Sequence, residues 1–394
     1  MKDAKLPLRD KILLPVIALL TVSLLLVSTE LIARRMFTDS KTGAERCLVF
    51  SDASTGVRAI PNCVCWEKKY ENRPVEYRFN SSGYRTDIEF GPKQPGTYRI
   101  VMIGSSTAMG AEVQVENSFA VLLPAELSKR TGRKVELYNE AIEGWGGTPH
   151  NIALRFNKAL AVQPDLILWV LSPGDIIRVG ELLPPGGYKP RSSLSLRVRV
   201  WQFIKSAFSR NSLNKAIVAS LDHSRSAFLL RHFLYRSQSL YVRSYLLGDG
   251  GKAGDEEAAT DSVLQLHLKE FDGYAADIEA RAKAAGVPLV ATFLPIGEQA
   301  ALISKGGWPD GYDPYKWDEE MRPIIESHGG IYAGILPDFR NIPNPERGYF
   351  LVDGHPNAMG HATISTLLAK ELTSGSILEL KASNQPGTDV GNGN

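Results

Sequence analysis

Hydrophobic residues occur in short runs over most of the chain, and longer amphipathic stretches separate these runs. Five runs rich in branched residues predict β-strands at 98–103, 134–139, 165–171, 288–294 and 330–336. Spacings typical of helices lie between them, at 117–130, 148–161, 266–285 and 315–328. Strands that alternate with helices of this length predict an α/β fold, in which a parallel sheet carries helices on both faces.

The N-terminal apolar run has a different character. Residues 12–29 contain no charged side chain, and four basic residues precede them, namely Lys2, Lys5, Arg9 and Lys11. A helix of this length nearly matches a hydrocarbon core of roughly 30 Å. A cleaved secretory signal is the alternative, but the run is long for one and Leu31-Ile32-Ala33 makes a poor cleavage site. We therefore predict a transmembrane signal anchor with the N-terminus in the cytoplasm, although Arg34 and Arg35 weaken the charge bias.

Changes in composition predict six segments along the chain. They are a cytoplasmic stub and anchor (1–33), an irregular lead-in (34–95), the first half of the α/β domain (96–178), a basic helical insertion (179–264), the second half (265–375) and a disordered tail (376–394).

Charge is segregated, although the 394 residues carry a net charge of only +2. Residues 178–246 hold twelve lysines and arginines but two acids, a net charge of +10, so the remainder carries −8. The basic stretch is predicted to be helical, with aromatic and leucine side chains among the arginines. It fits a membrane-surface patch, a groove for an anionic glycan, or a helical cap with a solvated basic face. A nucleic-acid partner is not expected.

Three cysteines lie shortly after the apolar run, at positions 47, 63 and 65. In an oxidising compartment Cys47 could pair with Cys63 or with Cys65, which closes a loop of about 17 residues. Three free thiols are the other interpretation.

Four polar, glycine-containing stretches could carry chemistry. Three of them follow predicted strands: Gly104-Ser105-Ser106, the stretch "YNEAIEGWGG" at 138–147, and "LSPGDI" at 171–176. The fourth, "DGHPNAMGH" at 353–361, precedes a helix that ends near Leu372. Because ligands bind outside the carboxyl ends of the strands in such sheets, the first three should share one edge.

This arrangement resembles the GDSL/SGNH hydrolases, and more narrowly their membrane-anchored members among bacterial envelope and exopolysaccharide proteins. The resemblance covers roughly 95–178 and 265–373, and it implies a flavodoxin-like sheet. It implies Ser106 as the nucleophile, Gly144 as a backbone donor to the oxyanion, and Asp353 and His355 as the rest of a triad. A serine hydroxyl needs such a base, and an imidazole can serve near neutral pH.

Two positions depart from the family pattern. The asparagine that usually donates to the oxyanion is replaced by Gly174, so Asn139 or a backbone N–H must substitute. The acid and base are spaced as Asp-x-His, which requires a local bend of the loop. Of the other polar residues, we predict turn or cap roles for Ser105 and Thr107 and a surface position for His361. Asp175 is predicted either to cap a helix or to support a residue of the site from behind.

The resemblance therefore implies a serine esterase acting on acyl esters, with O-acetyl groups on envelope or exported polysaccharide as the expected substrates. A polysaccharide O-acetyltransferase and a non-catalytic glycan-binding scaffold are the alternatives. No metal or other cofactor is expected. The expected partners are an acylated carbohydrate or other ester and the membrane. The expected location is the inner membrane, spanned once, with the bulk of the chain in the periplasm.

Overall fold

The structure, a computed structural model, describes residues 7–37, 43–52, 56–69, 71–179, 224–248, 261–308 and 313–382. The chain divides into two units. The first unit comprises 1–39 and 189–235, and the second comprises 40–188 and 236–394.

Strands and helices are numbered in chain order. The strands are β1 (Leu48–Asp52), β2 (Gly56–Ala59), β3 (Val64–Glu67), β4 (Val75–Arg78), β5 (Thr97–Gly104), β6 (Lys134–Asn139), β7 (Leu166–Leu171), β8 (Leu289–Phe293) and β9 (Ile331–Tyr332). The helices are α1 (Leu8–Met36), α2 (Ser106–Met109), α3 (Phe119–Thr131), α4 (Pro149–Ala161), α5 (Pro173–Ile177), α6 (Arg225–Leu234), α7 (Gln238–Gly248), α8 (Asp261–Ala284), α9 (Gly297–Lys305), α10 (Lys316–Ser327) and α11 (Ala358–Leu372).

The last five strands form one parallel sheet in the second unit. Its order is β6-β5-β7-β8-β9, and every neighbouring pair is parallel. Counted from β5, this is the order 2-1-3-4-5 of flavodoxin-like sheets. All residues of β5, β7 and β8 are buried, as expected for strands covered on both sides. The predicted α/β fold class is confirmed.

The helices cover the two faces of this sheet as two groups. The connection from β5 to β6 through α3 runs in the opposite direction to the connection from β6 to β7 through α4. Since such crossovers are right-handed, α3 and α4 lie on opposite faces. Helix α11 packs on α3, and α8 packs on α4 and α10.

The predicted boundaries agree with the observed ones within a few residues, except for the fifth strand and one helix. The run 330–336 gives only two residues of strand, because Leu336–Asn341 turns into a 3-10 helix. Helix α9 was not predicted, since it is short and follows Pro295 and Ile296 at the end of an apolar run.

The lead-in is more regular than the sequence predicts. Strand β1 pairs with β2 and β3 pairs with β4, each pair antiparallel. A disulfide joins Cys47 to Cys63, and Cys65 is a buried free thiol. Strands of four or five residues are too short to show a clear alternating pattern, which is why this region was predicted to be irregular.

The described part of the first unit consists of α1 and α6. Residues Arg9–Met36 are long and apolar enough to cross a membrane, and no residue of their most apolar window is buried. The carboxylate of Glu30 accepts hydrogen bonds from the backbone N–H groups of Arg225 and Ser226, so it caps the start of α6.

Two predicted segments differ from the structure. The basic insertion does not form one body, because α6 belongs to the first unit while Tyr241 and Val242 of α7 are buried in the second. Residues 180–223 and 249–260 of that segment lie outside the described residues. The tail prediction was wrong for 376–382, because Ile377 and Leu380 are buried in the core. Residues 383–394 lie outside the described residues.

Candidate active site

Ser106 lies where β5 passes into helix α2. It is the first residue of that helix, directly beyond the carboxyl end of the buried strand. Gly104 permits the close packing behind it, because a Cβ there would lie 2.7 Å from the carbonyl oxygen of Val170 and 2.8 Å from the Cβ of Ala108. Because Gly104 has no side chain, the end of β5 can pack closely against β7 and α2. Ser106 follows at the carboxyl edge of the sheet.

The structure brings together the three residues proposed as a triad. Ser106 Oγ lies 2.8 Å from His355 Nε2, and His355 Nδ1 lies 2.5 Å from Asp353 Oδ1. A carboxylate can only accept, so Nδ1 carries the proton and donates to Asp353, which leaves Nε2 free to accept from the Ser106 hydroxyl. Such an arrangement can remove the serine proton during an attack on a carbonyl carbon.

The loop that carries His355 bends tightly. Gly354 has a left-handed backbone (φ +93°), and its N–H donates to the carbonyl of Phe350 at 2.7 Å. The N–H of Phe350 donates in turn to the carbonyl of His355 at 2.8 Å. This turn supplies the bend that the Asp-x-His spacing requires. Asn357 then begins α11 by accepting from the N–H groups of Met359 and Gly360.

Electrostatics stabilise the protonated form of His355, which arises when the imidazole takes a proton. Burial opposes a charge on His355, but the hydrogen bond and the charge of Asp353 outweigh it and raise the pKa of His355 above its ordinary value. Burial would likewise raise the pKa of Asp353, yet its bond to His355 and the charges of His355 and Lys69 hold that pKa below its ordinary value. Asp353 is therefore ionised at neutral pH.

The two glycines predicted near the oxyanion both line the cleft beside Ser106. Gly144 has a left-handed backbone (φ +61°) at the start of the turn Gly144–Gly147. Gly174 is the second residue of α5, and a Cβ at that position would meet no atom within 4 Å. Both positions can present backbone N–H groups to the cleft, although neither supplies a side-chain donor.

Asn139 does not reach this cleft. It is buried at the end of β6, where its Nδ2 donates to the carbonyl of Ala108 and its Oδ1 accepts from the N–H of Ala141. Its amide therefore ties β6 to α2, and the expectation that it substitutes for the missing asparagine was wrong. The sequence placed it at the correct edge of the sheet but could not show where its side chain points.

Asp175 and Ser105 join two of the loops beneath the site. Asp175 accepts from the N–H and hydroxyl of Ser172, which confirms its predicted cap role at the start of α5. The hydroxyl of Ser105 does not cap α2. It donates to Asp175 Oδ2 at 3.1 Å, and the loop after β7 is thereby held against the loop after β5.

The lead-in supplies residues that the sequence did not indicate. Glu71 accepts from the backbone N–H groups of Val352 and Asp353, at 2.9 Å each. Lys69 Nζ lies 3.2 Å from the carboxyl of Glu112, which in turn lies 3.8 Å from His355 Nδ1. These residues fall in stretches without a recognisable motif, so no sequence signal marked them.

His361 is buried, and its predicted surface position was wrong. Its Nδ1 accepts from the N–H of Phe119 at 3.3 Å, and burial together with the charge of Arg85 lowers the pKa of His361 to about 3. The imidazole is therefore neutral and fills the contact between α11 and α3.

The cleft around Ser106 has a volume of about 850 Å³ and is lined by both apolar and polar side chains. Besides the triad, its charged lining includes Glu45, Glu67, Glu143 and Glu298, with Lys69 and Arg178 as the basic residues.

One group of metal-ligand type lies within the described ranges. Atoms of Glu112, Asp353 and His355 lie within 4.8 Å of one another. Both ring nitrogens of His355 already contact Asp353 and Ser106, so this geometry fits a serine–histidine pair better than a cation site.

No protein-family model matches the sequence, and no curated protein matches it. The fold is similar to three solved structures among others. They are LAE5, an α/β hydrolase from the metagenome of Lake Arreo in Spain (14% identity, 70% of this chain and 94% of that one, TM-score 0.38), Axe2, an acetylxylan esterase from Geobacillus stearothermophilus (11%, 72% and 96%, 0.37), and a protein from Desulfitobacterium hafniense described as lipolytic and of the G-D-S-L family (12%, 68% and 96%, 0.35).

Proposed function

We propose that the protein is a serine esterase that cleaves acyl esters through an acyl-enzyme. The observation that carries this proposal is the continuous chain of contacts from Ser106 Oγ to His355 Nε2 at 2.8 Å and from His355 Nδ1 to Asp353 Oδ1 at 2.5 Å. Both distances are within hydrogen-bond reach, which is the geometric requirement for a nucleophile and its base.

The reaction proceeds in two halves. Ser106 Oγ attacks the ester carbonyl carbon while its proton moves to His355 Nε2. The tetrahedral intermediate then expels the alcohol, which takes the proton from Nε2. In the second half, water gives its proton to Nε2 and attacks the acyl-enzyme, and the acid leaves as Ser106 regains its proton. Asp353 holds the imidazole in the required tautomer throughout.

Backbone groups stabilise the negative charge that develops on the carbonyl oxygen. The N–H groups of Ser106 and Gly144 are the proposed donors, and the start of α5 at Gly174 borders the same space. Loss of one such donor elsewhere costs on the order of 10²–10³ in turnover. A site without the usual asparagine is therefore expected to be slow on unactivated esters rather than inert.

The finer proposal is that the substrate is an O-acetyl ester on an envelope or exported polysaccharide. The cleft has a volume of about 850 Å³, and its lining includes the carboxyl groups of Glu45, Glu67 and Glu143 as well as apolar side chains. These carboxyl groups can hydrogen-bond to sugar hydroxyls. A long alkyl chain packed against them would remove their water without replacing its hydrogen bonds, which costs free energy.

Labelling with a fluorophosphonate probe tests the enzyme proposal. We expect the full-length protein in detergent to be labelled, and Ser106→Ala and His355→Ala to lose the label. Ser327→Ala is the matched control, because Ser327 lies on α10 away from the cleft and should leave labelling unchanged. A folded wild-type protein that resists the probe would instead favour the glycan-binding scaffold.

Acetate release tests the substrate proposal. Acetylated glycans, incubated with the protein, should yield free acetate that depends on Ser106. The same incubation with an unacetylated acceptor sugar distinguishes the two acyl-transfer reactions. Hydrolysis predicts unchanged acetate release, and a transferase predicts that acetyl groups appear on the acceptor at the expense of acetate.

We also propose that the second unit lies in the periplasm, with α1 in the inner membrane. The disulfide between Cys47 and Cys63 supports this side, because such bonds persist in oxidising compartments. An alkaline phosphatase fusion after position 382 should be active in cells. An inactive phosphatase with an active cytoplasmic reporter at the same position would reverse the orientation.

A further inference from the structure

Glu112 places a second carboxyl beside the proposed triad. Its side chain is only 2% exposed, and its Oε1 lies 3.8 Å from His355 Nδ1. Both carboxyl oxygens are shielded from solvent, the nearest opposite charge is Lys69 Nζ at 3.2 Å, and the carboxyl of Asp353 is close enough to interact with that of Glu112. Burying a carboxyl in this way costs free energy of folding. Other interactions must therefore hold Glu112 in this position.

The backbone of Glu112 is held in a conformation that glutamate rarely adopts. Its φ of +68° lies in the left-handed region, which costs a residue with a side chain about 1–2 kcal/mol. Such outliers persist where surrounding structure enforces them, and they cluster at functional sites.

Side chains of the lead-in enforce this conformation. The N–H of Glu112 donates to Tyr77 Oη at 2.8 Å, and its carbonyl accepts from Asn72 Nδ2 at 3.1 Å. The buried guanidinium of Arg85 donates to the carbonyls of Gly110 and Val113 on either side. The lead-in thus fixes Glu112 from three directions and aims its carboxyl at the imidazole.

Two carboxyls close to one imidazole cannot both be ionised cheaply. Burial and the negative charge of Asp353 raise the pKa of Glu112 to about 8, while His355 and Lys69 oppose this rise. Other titratable groups near this cluster are Glu67, 3.8 Å from Lys69 Nζ, Glu71, bonded to the N–H of Asp353, Tyr77, and Glu143, which lines the cleft. The protonation of Glu112 therefore depends on the charge of Asp353, and the two carboxyls titrate as a pair beside His355.

We propose that Glu112 is a positioning residue for this reaction: its carboxylate, paired with Lys69, stabilises the imidazolium that forms when His355 takes the proton of Ser106. The inference rests on the proposed esterase function. Asp353 keeps its hydrogen bond to Nδ1, and Glu112 adds a second negative charge 3.8 Å from the same nitrogen. The added field acts on the charge that develops in the transition state, so it assists proton transfer.

The test is the pH dependence of inactivation by a fluorophosphonate, measured as a second-order rate constant on the full-length protein in detergent. In the wild-type protein the rate constant should keep rising through about pH 8, because the carboxylate forms only there. Glu112→Gln should level off at a lower pH, since an amide cannot ionise. Its plateau should be about tenfold lower, which corresponds to about 1.4 kcal/mol of lost stabilisation.

Two further variants control this experiment. Glu116→Gln removes an exposed carboxyl four residues away and should leave the profile unchanged. Glu112→Asp keeps the carboxyl at a greater distance, so it should retain the rise near pH 8 with an intermediate plateau. Aspartate also tolerates the left-handed backbone better than most residues, so this variant carries the test if Glu112→Gln does not fold.

A Glu112→Gln profile that keeps the wild-type shape would overturn the inference, whether its plateau is unchanged or uniformly lower, because a purely structural role lowers rates without moving the pH dependence. Failure of the proposed function gives a different result. In that case wild type and Ser106→Ala would both resist the probe, and no profile would be obtained for any variant.

Discussion

Gly144 combines a left-handed backbone conformation with a proposed role as a hydrogen-bond donor to the oxyanion. Its φ is +61°, and its N–H is a proposed donor to the oxyanion. An alanine at this position would meet no neighbouring atom within 4 Å, so any effect comes from the backbone rather than from crowding.

We predict that Gly144→Ala lowers the free energy of unfolding by about 1–2 kcal/mol and lowers kcat/KM about tenfold, because the strained N–H turns away from the oxyanion. Gly96→Ala is the matched control, since Gly96 has φ +76° and equally open surroundings but lies before β5. Chemical unfolding and steady-state hydrolysis of an activated acetyl ester measure the two effects. Equal loss of activity in both variants would remove Gly144 from the oxyanion site.

Burial of His361 makes the free energy of unfolding depend on pH. Its pKa is about 3 in the folded protein and about 6.5 when unfolded, so between these values the unfolded chain binds a proton that the folded chain does not. Stability therefore falls as the pH drops below 6.5.

We predict that this histidine costs about 2 kcal/mol at pH 5 relative to neutral pH. Glutamine lacks this ionisation, so the stability difference between wild type and His361→Gln should shrink by that amount from pH 7 to pH 5. Denaturant unfolding of both proteins at the two pH values measures it. Parallel pH dependences would show that the pKa of His361 is the same in the folded and unfolded states.

At the scale of elements, the long strands were predictable and the short ones were not. Strand β6 was predicted to the residue, and α3 and α4 within two residues, because buried strands and amphipathic helices of this length repeat their pattern several times. Strands β1 to β4 have four or five residues each, so tertiary pairing rather than local pattern determines them.

Some residues of the candidate site were likewise predictable from the sequence, and others were not. Ser106, Gly144, Asp353 and His355 follow from glycine-containing stretches at strand ends and before a helix. Glu71 and Lys69 reach the site only through the folding of the lead-in. Glu112 follows α2 in the chain, but side chains of the lead-in position it, and no local motif marks these contacts. The side-chain direction of Asn139 was also beyond the sequence, because period-two alternation ends where the strand does.

The disulfide between Cys47 and Cys63 links two parts of the lead-in covalently. It closes a loop with a sequence separation of 16 residues, for which the chain-entropy estimate is about 3 kcal/mol. Because lead-in residues hold both the Asp353 loop and Glu112, loss of the bond should weaken the site as well as the fold.

We predict that the unfolded, unreduced protein exposes one alkylatable thiol, Cys65, and that reduction exposes three. Cys47→Ser combined with Cys63→Ser should lower the unfolding temperature and fluorophosphonate reactivity together, whereas Cys65→Ser should preserve the bond. Mass spectrometry after alkylation counts the thiols. Three thiols before reduction would contradict the pairing and remove the support for an oxidising compartment.

In the molecule as a whole, the candidate membrane span and the candidate chemistry belong to different units. The apolar helix α1 lies in the first unit, and every residue of the candidate site lies in the second. Helix α6 also exposes Leu230, Phe233 and Leu234, which could add a second contact with lipid.

We predict that removal of residues 1–36 releases a protein that stays in the supernatant after ultracentrifugation and keeps its fluorophosphonate reactivity. Sedimentation with membranes would assign attachment to α6 or to another part of the basic stretch 178–246. Adding Leu230→Ser and Phe233→Ser to the truncated chain would then separate these two possibilities, since only attachment through α6 depends on those side chains.

The proposed reaction requires Ser106 to carry the acyl group between its two halves. Rapid acid quench during hydrolysis of an activated acetyl ester, followed by peptide mapping, tests it directly. We predict an acetyl group on the peptide that contains Ser106, formed within the first turnover and absent from Ser106→Ala. Hydrolysis that persists in Ser106→Ala, or an acetyl group that appears at another residue instead, would show that Ser106 is not the nucleophile.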